Sequence, residues 1–290
     1  MKSLGILGLL AALLVSMGTI SCSDDNLVAP YSGYAVQFVG LVSDDPFACG
    51  TYNNIGTGND EFFVDDFRFF VYDVQLRRAD NDALVALDLS ETPWQHDGLA
   101  LIDFETGVSG GCNGTIATNT LAFGTAPEVE YDGVCFTMGV PFEMNHIDAG
   151  TAPAPLNSVG MQWNWNGGYK FLRIDGQGDP NGSPVNWNVH LGSTSCTPTG
   201  DPSTPAISCD NPNRVQVCLD SYDPDQNVIA ADIGDLLSGA DVGVNTAATA
   251  AGCMSAPDDP ECPAVFDELG LDHQVGPFTD TDGQGFFSVQ

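Results

Sequence analysis

The stretch EFFVDDFRFFVYDVQLRR, residues 61–78, decides the fold. It is rich in aromatic and β-branched residues, which favour β-strands. Further stretches of this kind follow, separated by clusters of Gly, Asn and Asp and without regular strand and helix alternation. We therefore predict an all-β fold, an antiparallel β-sandwich with disulfide-stabilised loops and one or two short helices. The other predicted strands lie at 34–42, 83–89, 98–105, 129–142, 161–165, 169–175, 185–192 and 213–220.

Two stretches predict helices. Residues 227–242 place apolar side chains at helical spacing, and residues 263–271 predict a shorter helix. The sequence contains no internal repeat and no low-complexity segment beyond its acidic bias. We therefore expect residues 33–290 to form a single domain.

The beginning of the chain predicts export. Residues 1–21 combine one basic residue with a short apolar run and small residues, which is typical of a secretory signal peptide. Cys22 resembles the lipidated cysteine of bacterial lipoproteins, although Thr19 stands where a leucine-like residue is usual. Residues 22–32 then form a tether. We expect the periplasm or the outer membrane and cell surface of a Gram-negative bacterium, with membrane contact only through a lipid anchor.

The cysteines also indicate an oxidising compartment. The chain has nine, and setting Cys22 aside leaves an even number compatible with four disulfides. Spacing leaves the overall connectivity open, although Cys253 and Cys262 are close enough to pair locally. A zinc site is disfavoured because no CxxC occurs. The predicted disulfide cysteines are Cys49, Cys112, Cys135, Cys196, Cys209, Cys218, Cys253 and Cys262.

The formal net charge is −32, and removing the signal peptide removes one of the few basic residues. Such a surface repels nucleic acid and anionic lipid and favours cations and basic partners. The 43% hydrophobic content argues for a packed core rather than disorder. No phosphate-binding glycine loop or HExxH occurs, and no nucleophile and base pair is evident, so we expect a protein that is not an enzyme.

Four histidines limit the search for a metal site. His146 and His190 each end a predicted strand, and imidazoles from two strands are suitable ligands for copper or zinc. Met161 offers a thioether that favours Cu(I), although core packing is its commoner use. Each of these residues also has an ordinary structural interpretation.

Trp163 and Trp165 stand one residue apart in MQWNW. Alternate side chains share a face of a strand, so Met161 and both tryptophans would form one aromatic surface. That surface suits core packing or a sugar platform equally well. An intact indole offers only an N–H donor, whereas oxidative opening of its pyrrole ring gives an aryl amine and a ketone that can coordinate a metal.

Calcium is a second candidate metal. Asp223, Asp225 and Asn227 have the alternate spacing that begins an EF-hand loop, and Asp280 and Asp282 form another acidic pair. Neither stretch has the loop glycine and terminal glutamate at the right offsets. The rival hypothesis is a calcium-stabilised surface lipoprotein that binds glycan or protein through a platform of Trp163, Trp165 and Trp187.

Eight motifs together resemble a known family, the methanobactin-associated MbnP-like proteins. The resemblance runs from about residue 35 to residue 270, the motifs lie in order between residues 94 and 262, and the WxW and HLGS pair is the most specific. The motifs are WQHDGLALIDFETG, GCNGT, GVPFEMNH, APLN, MQWNWNGGYKFLRID, HLGSTSC, CDNPNRV and GCMSAPDDPEC.

The resemblance implies a periplasmic copper-binding protein whose partner is a di-haem enzyme related to MauG and bacterial cytochrome c peroxidases. That enzyme would oxidise Trp163 or Trp165 to kynurenine, which then helps His146 and His190 bind copper. His96 is a weaker candidate because it lies beside the family-typical WQ. The resemblance also suggests that Cys135 and Cys218 are additions that form one extra disulfide between neighbouring strands.

Overall fold

We describe a computed structural model of the chain over residues 30–107, 111–164, 166–197, 204–273 and 283–290. The predicted signal peptide, most of the tether and Cys22 lie outside these residues, as do Trp165, Asp280 and Asp282. No helix within the described ranges is long and apolar enough to cross a membrane.

The described chain is built mainly from strands. In chain order they are β1 (Tyr31–Val42), β2 (Asp45–Pro46), β3 (Gly50–Ile55), β4 (Asp60–Arg78), β5 (Leu84–Ala86), β6 (Asp88–Leu89), β7 (Gln95–His96), β8 (Leu99–Asp103), β9 (Leu121–Pro127), β10 (Tyr131–Met138), β11 (Gln162–Asn164), β12 (Gly168–Tyr169), β13 (Leu172–Asp179), β14 (Val185–Asn186), β15 (Asn188–Leu191), β16 (Thr194–Thr197), β17 (Ser208–Asn211), β18 (Val215–Asp220), β19 (Ile229–Asp232), β20 (Gly252–Cys253) and β21 (Phe287–Val289). The helices are short: α1 (Phe142–Asn145), α2 (Ile233–Leu236), α3 (Cys262–Glu268) and a 3-10 turn at Val159–Met161.

Two large sheets form the sandwich. The smaller follows the order β21, β19, β1, β9, β6, and the larger follows β18, β10, β4, β13, β15, β20. Strand β4 lies at the centre of the larger sheet, where it pairs with β10 and β13 and also with β3, β5 and β8. Residues 61–78 therefore form the central strand. Two further ribbons, β11 with β12 and β16 with β17, lie outside these sheets.

Aromatic side chains join the two sheets. Phe38 of β1 packs edge to face on Phe69 of β4 and on Phe136 of β10, each with ring centroids 5.5 Å apart. Phe287 of β21 meets Phe69 at 5.5 Å and Phe136 at 5.1 Å. All four rings are almost fully buried. This aromatic cluster is the centre of the core, and it fixes which face of β4 points inward.

All eight predicted cysteines form disulfides. The bonds are Cys49–Cys112, Cys135–Cys218, Cys196–Cys209 and Cys253–Cys262. The local pairing of Cys253 with Cys262 is confirmed, and so is the cross-strand pairing of Cys135 with Cys218, which lie opposite each other in β10 and β18. Cys196 and Cys209 face each other in the same way across β16 and β17.

The predicted all-β sandwich with short helices is confirmed, with two departures. The pairs β1 with β19 and β15 with β20 are parallel, so the sheets are mixed. The helix predicted over 227–242 is largely wrong, because Ile229–Asp232 is a strand that pairs with both β1 and β21 and only Ile233–Leu236 is helical. Burial between those neighbours overrides the helical spacing. The helix begins only at Ile233, where the carboxylate of Asp232 caps the Gly234 N–H at 2.7 Å. The second predicted helix is confirmed as α3.

Candidate metal site

His190 lies on β15, where the antiparallel register places it opposite Arg173 of β13. Its Nε2 lies 2.5 Å from Oδ1 of Asp175, two residues further along β13 on the same face. An ionised carboxylate only accepts hydrogen bonds, so the Nε2–H of His190 donates to Asp175. This contact sets the imidazole tautomer and leaves Nδ1 as the nitrogen with a lone pair.

Asp175 is itself held in place. The guanidinium of Arg173 donates to its Oδ2 from Nε at 3.1 Å and from a terminal nitrogen at 2.5 Å. Burial alone would raise the pKa of Asp175, but the hydrogen bonds from His190 and Arg173 outweigh it and hold that pKa well below its usual range. Burial lowers the pKa of His190 in spite of Asp175. The imidazole is therefore kept neutral, the form that binds metals.

His190 begins a buried row of polar side chains that crosses the outer face of the larger sheet. In the register, Arg173 and Asp175 lie opposite Arg68 and Asp66 of β4, and Arg68 lies opposite Asp103 of β8. Residues opposite each other on paired strands share a face, so the row is continuous across four strands. We call it the polar ladder; its members are His190, Arg173, Asp175, Arg68, Asp66 and Asp103.

Ion pairs connect the middle of the polar ladder. The guanidinium of Arg68 binds both carboxylate oxygens of Asp66, with Nε 2.7 Å from Oδ1, and Arg173 Nε lies 3.2 Å from Asp66 Oδ2. The side chains of Arg68 and Asp66 are 3% and 0% exposed. Burial raises the pKa of Asp66 to about 6, even though both arginines act in the opposite direction. Removing either partner would leave a buried charge without compensation.

The ribbon of β11 and β12 covers this outer face. Tyr169 of β12 packs edge to face on Phe70 of β4, with ring centroids 5.8 Å apart. The Gly160 carbonyl, just before β11, accepts hydrogen bonds from Lys170 and Arg173. These contacts place the ribbon, and with it Trp163, above the polar ladder.

Trp163 is half-buried on β11, and its indole lies against the chain that leaves β15. A methyl group added to Gly192 would fall 2.5 Å from Cζ3 and 2.8 Å from Cη2 of the indole. Gly192 comes two residues after His190, and Ser255 accepts a hydrogen bond from Gly192 N and donates one to His190 O. The structure therefore brings the predicted tryptophan next to the HLGS motif.

His146 ends α1 and is 5% exposed. Its Nε2 lies 3.2 Å from the Asn145 side-chain nitrogen and 3.5 Å from Cys209 Sγ. The side chain of Asn145 also accepts a hydrogen bond from Tyr169 N at 2.8 Å. His146 is thus attached to the β12 side of the ribbon that carries Trp163.

An open cavity of about 330 Å³ lies beside the indole. Its lining includes Cys196, whose disulfide partner Cys209 touches His146. Met254, from the GCMSAPDDPEC motif, contributes to the same wall. The lining residues are Trp163, Asn164, Asn166, Gly167, Ser193, Thr194, Ser195, Cys196 and Met254.

Other predicted site residues lie elsewhere or take part in packing. Met161 is fully buried in the core and belongs to the 3-10 turn, so it does not share a strand face with Trp163 as the sequence suggested. Trp187 is 1% exposed, and its Nε1–H donates to the Val244 carbonyl at 3.1 Å. It therefore cannot belong to the surface platform predicted for glycan or protein binding. His96 lies 2.7 Å from Glu91, away from the polar ladder.

The first calcium candidate is a turn held by its own hydrogen bonds. Asp223 Oδ1 accepts from Asp225 N at 2.9 Å, its Oδ2 accepts from Gln226 at 2.6 Å, and Asn227 Oδ1 accepts from Asp223 N at 2.9 Å. Within the described part of the chain, the one group of three potential ligands with atoms within 4.8 Å of one another is His146 with Cys196 and Cys209. Both cysteines of that group are disulfide-bonded.

Sequence reasoning missed the residues that support the histidines. Asp175 was visible only as the end of FLRID, and nothing in the sequence showed that it contacts His190 across a strand pair. Asn145 directly precedes His146, yet its contact with β12 is a tertiary feature. The sequence signal that could have indicated these contacts is the presence of polar residues on predicted strands that lie next to each other in the sheet.

The fold and these contacts define a class: a disulfide-stabilised β-sandwich in which the Trp163 indole lies against Gly192, two residues after His190 of the larger sheet. The chain belongs to the MbnP family, because the MbnP family model matches residues 32–255. Among solved structures it is similar to MbnP from Methylosinus trichosporium, with 32% sequence identity and a TM-score of 0.80. That match covers 90% of this chain and 98% of the other. No curated protein sequence matches the chain.

Proposed function

We propose that this chain is an exported, non-catalytic copper-binding protein that serves copper homeostasis. Copper would be held by His146, His190 and a kynurenine made from Trp163 or Trp165. The observation that carries the proposal is the contact of the Trp163 indole with Gly192, two residues after His190. Membership of the MbnP family supports it independently.

The donor set suits copper. Two neutral imidazoles and the aryl amine of a kynurenine are nitrogen donors of the kind that copper accepts. Asp175 would act as a positioning residue, since it fixes the His190 ring and raises its basicity through the Nε2–H hydrogen bond. When bound, copper would be the ion that the protein carries, and the role of the chain would be to present these nitrogens in a fixed geometry.

The modification requires an oxidant that this chain does not contain. We propose the di-haem MauG-like or peroxidase-like enzyme as the partner. It would remove four electrons and four protons from the indole and two water molecules, and would pass them to two molecules of its own peroxide substrate, which are reduced to water. The two water molecules that are consumed would place one oxygen each on C2 and C3 as the C2–C3 bond breaks. Hydrolysis then releases C2 as formate and leaves the amine and ketone of kynurenine. The strongly acidic chain favours a basic docking patch on that enzyme, so added salt should weaken the complex.

A peptide mass map tests the proposal. The mature chain is produced with and without the di-haem enzyme, and after reduction and digestion with a protease that cleaves beside aromatic residues, the peptides that cover residues 161–173 are examined. We expect kynurenine at one tryptophan only when the enzyme is present, and Trp163→Phe and Trp165→Phe identify which. Copper titration of the modified protein is then compared with His146→Ala and His190→Ala. Each removes a proposed ligand and should weaken copper binding by more than the ~10–100-fold expected for the loss of a residue that only orients a ligand.

The matched control is His96→Ala, which removes a half-buried imidazole paired with a carboxylate outside the proposed site. It should keep the affinity of the parent protein. The proposal fails if protein from its own host carries two intact tryptophans, or if copper binds equally well to the parent and to His146→Ala.

A further inference from the structure

Gly192, which the Trp163 indole contacts, has both of its backbone polar groups held by buried side chains. Its N–H donates to Ser255 Oγ at 3.1 Å, and its carbonyl accepts from Asn213 Nδ2 at 2.9 Å. The hydroxyl of Ser255 also donates to the His190 carbonyl at 2.9 Å. The two side chains therefore fix the short segment that joins His190 to the residue beneath the indole.

Ser255 and Asn213 share an unusual backbone conformation. Ser255 has a φ of 64° and Asn213 a φ of 48°, in the left-handed region that residues other than glycine rarely adopt. Ser255 is 1% exposed and Asn213 is 2% exposed, whereas every other non-glycine residue with a positive φ in the described ranges is exposed. The two buried residues of this kind in the described chain thus bind the same glycine.

The loop around Ser255 enforces this conformation. The disulfide between Cys253 and Cys262 closes the loop, and inside it the buried carboxylate of Asp259 accepts from the N–H of Met254 at 3.0 Å. Strand β20, which ends two residues before Ser255, is paired in parallel with β15. The loop is therefore anchored on both sides of the strained residue.

Asn213 is fixed by its two neighbours in the chain. The carbonyl of Pro212 accepts a hydrogen bond from Ser193 Oγ at 2.9 Å, and Arg214 Nε donates to the Val140 carbonyl at 2.8 Å. Strained backbone persists only where the surrounding structure enforces it, and it is concentrated at functional sites. Two segments that are far apart in sequence thus hold strained residues against one glycine.

We propose that Ser255 and Asn213 are positioning residues of the metal site, which hold the Gly192 peptide groups so that the Trp163 indole keeps its place beside His190. Their hydrogen bonds fix the peptide planes on both sides of Gly192. Without these bonds the glycine, which has no side chain to restrict φ and ψ, would be free to rotate. The inference rests on the proposed function, because the site that these residues position is the proposed copper site.

Two replacements of Ser255 separate positioning from stability. Ser255→Gly and Ser255→Ala both remove the hydroxyl, but glycine adopts a positive φ without strain, so the glycine variant should be the more stable. Copper affinity of the modified protein, measured by chelator competition where all variants are folded, should decrease by a similar factor in both, ~10–100-fold. Asn213→Gly should act in the same direction, with Asn181→Gly, at an exposed position with a φ of 60°, as its control.

The indole N–H NMR signal of Trp163 is a second measurement that needs neither copper nor the di-haem enzyme. Its absence in Trp163→Phe assigns it, and it should shift in both Ser255 variants. The matched control is Ser221→Gly, because Ser221 is exposed and has a φ of 60°. This control relieves the same backbone strain away from Gly192, so the indole signal and the copper affinity should stay those of the parent.

The possible failures can be told apart. A parent protein that is modified but does not bind copper would refute the proposed function, and the indole signal would then decide by itself whether Ser255 positions the ring. The positioning role is overturned if the indole signal of both Ser255 variants equals that of the parent. It is also overturned if the modified parent binds copper and both variants bind it equally well.

Discussion

The replacement Gly192→Ala tests the packing of Trp163 directly. The added methyl carbon would lie 2.5 Å from Cζ3 of the indole and 2.8 Å from the Tyr169 carbonyl oxygen. Carbon atoms in contact are ordinarily about 3.5–4.0 Å apart, so the indole must move by about 1 Å or more. The carbonyl on the other side belongs to β12 and prevents the methyl group from moving away. Gly192 is not among the described glycines with a positive φ, so the effect is steric rather than conformational.

The expected loss of stability follows from this overlap. Overpacking of a well-packed site costs about 1–3 kcal/mol, and the reduced freedom of the unfolded chain offsets about 0.4–1 kcal/mol. We expect a net loss of about 1–2 kcal/mol in the free energy of unfolding. This corresponds to a decrease in Tm of about 2–8 °C for a domain of this size. Copper affinity should decrease as well, because the displaced ring belongs to the proposed site.

Guanidinium unfolding with the disulfides intact, followed by circular dichroism and tryptophan emission, measures the change. Gly283→Ala is the matched control, since a methyl group there meets no atom within 4 Å. If Gly192→Ala is as stable as Gly283→Ala and its native tryptophan emission is unaltered, the indole does not lie against Gly192, and the proposed site geometry is wrong.

Three further predictions concern the ends of the polar ladder and the sandwich itself. Asp175→Asn removes the acceptor that orients His190, so copper affinity measured by competition with a chelator should decrease ~10–100-fold, whereas unchanged affinity would show that the hydrogen bond does not position the ring. Burial raises the pKa of Asp103 to about 7 in the native state, against 3.8 in the unfolded chain, so the native state keeps the proton to a higher pH. The free energy of unfolding should therefore decrease as pH rises from 4 to 7, by about 4 kcal/mol at most. In Asp103→Asn the free energy of unfolding should depend less on pH across that range. Replacing both Cys135 and Cys218 by alanine opens a link across 83 residues and should cost about 2–5 kcal/mol, and a loss below ~1 kcal/mol in chemical denaturation would contradict the expected restriction of the unfolded chain.

The sandwich was predictable because its signal is local. Phenylalanine and valine in residues 61–78 predict the central strand. Phe67 and Phe69 alternate there with Asp66 and Arg68, which separates a core face from a polar face. The error at Ile229–Asp232 has a physical cause. Apolar residues spaced like a helix also suit a short strand that is buried between two neighbours.

The candidate site was predictable only in part. His146, His190 and the tryptophan pair could be identified because histidine and tryptophan are scarce in this chain and these residues lie in motifs that resemble those of the family. Their supporting contacts depend on strand pairing, since Asp175 reaches His190 across β13 and β15. A cavity of about 290 Å³ beside Leu101 was not predictable for the same reason, because it forms where β8 meets loops far apart in sequence, those of Trp94 and Pro155.

The disulfide beside His146 has a consequence for the order of maturation. Sulfur atoms of Cys196 and Cys209, with a ring nitrogen of His146, all lie within 4.8 Å of one another. If these cysteines were reduced, they would bind a soft metal as thiolates and compete with the histidines for it. In the disulfide neither sulfur is a thiolate, so this competition is absent. A chain that met Cu(I) before oxidation would therefore trap the ion at the wrong ligands. If copper is bound as proposed, thiol oxidation would have to come before copper loading, and loading would then depend on an oxidising compartment.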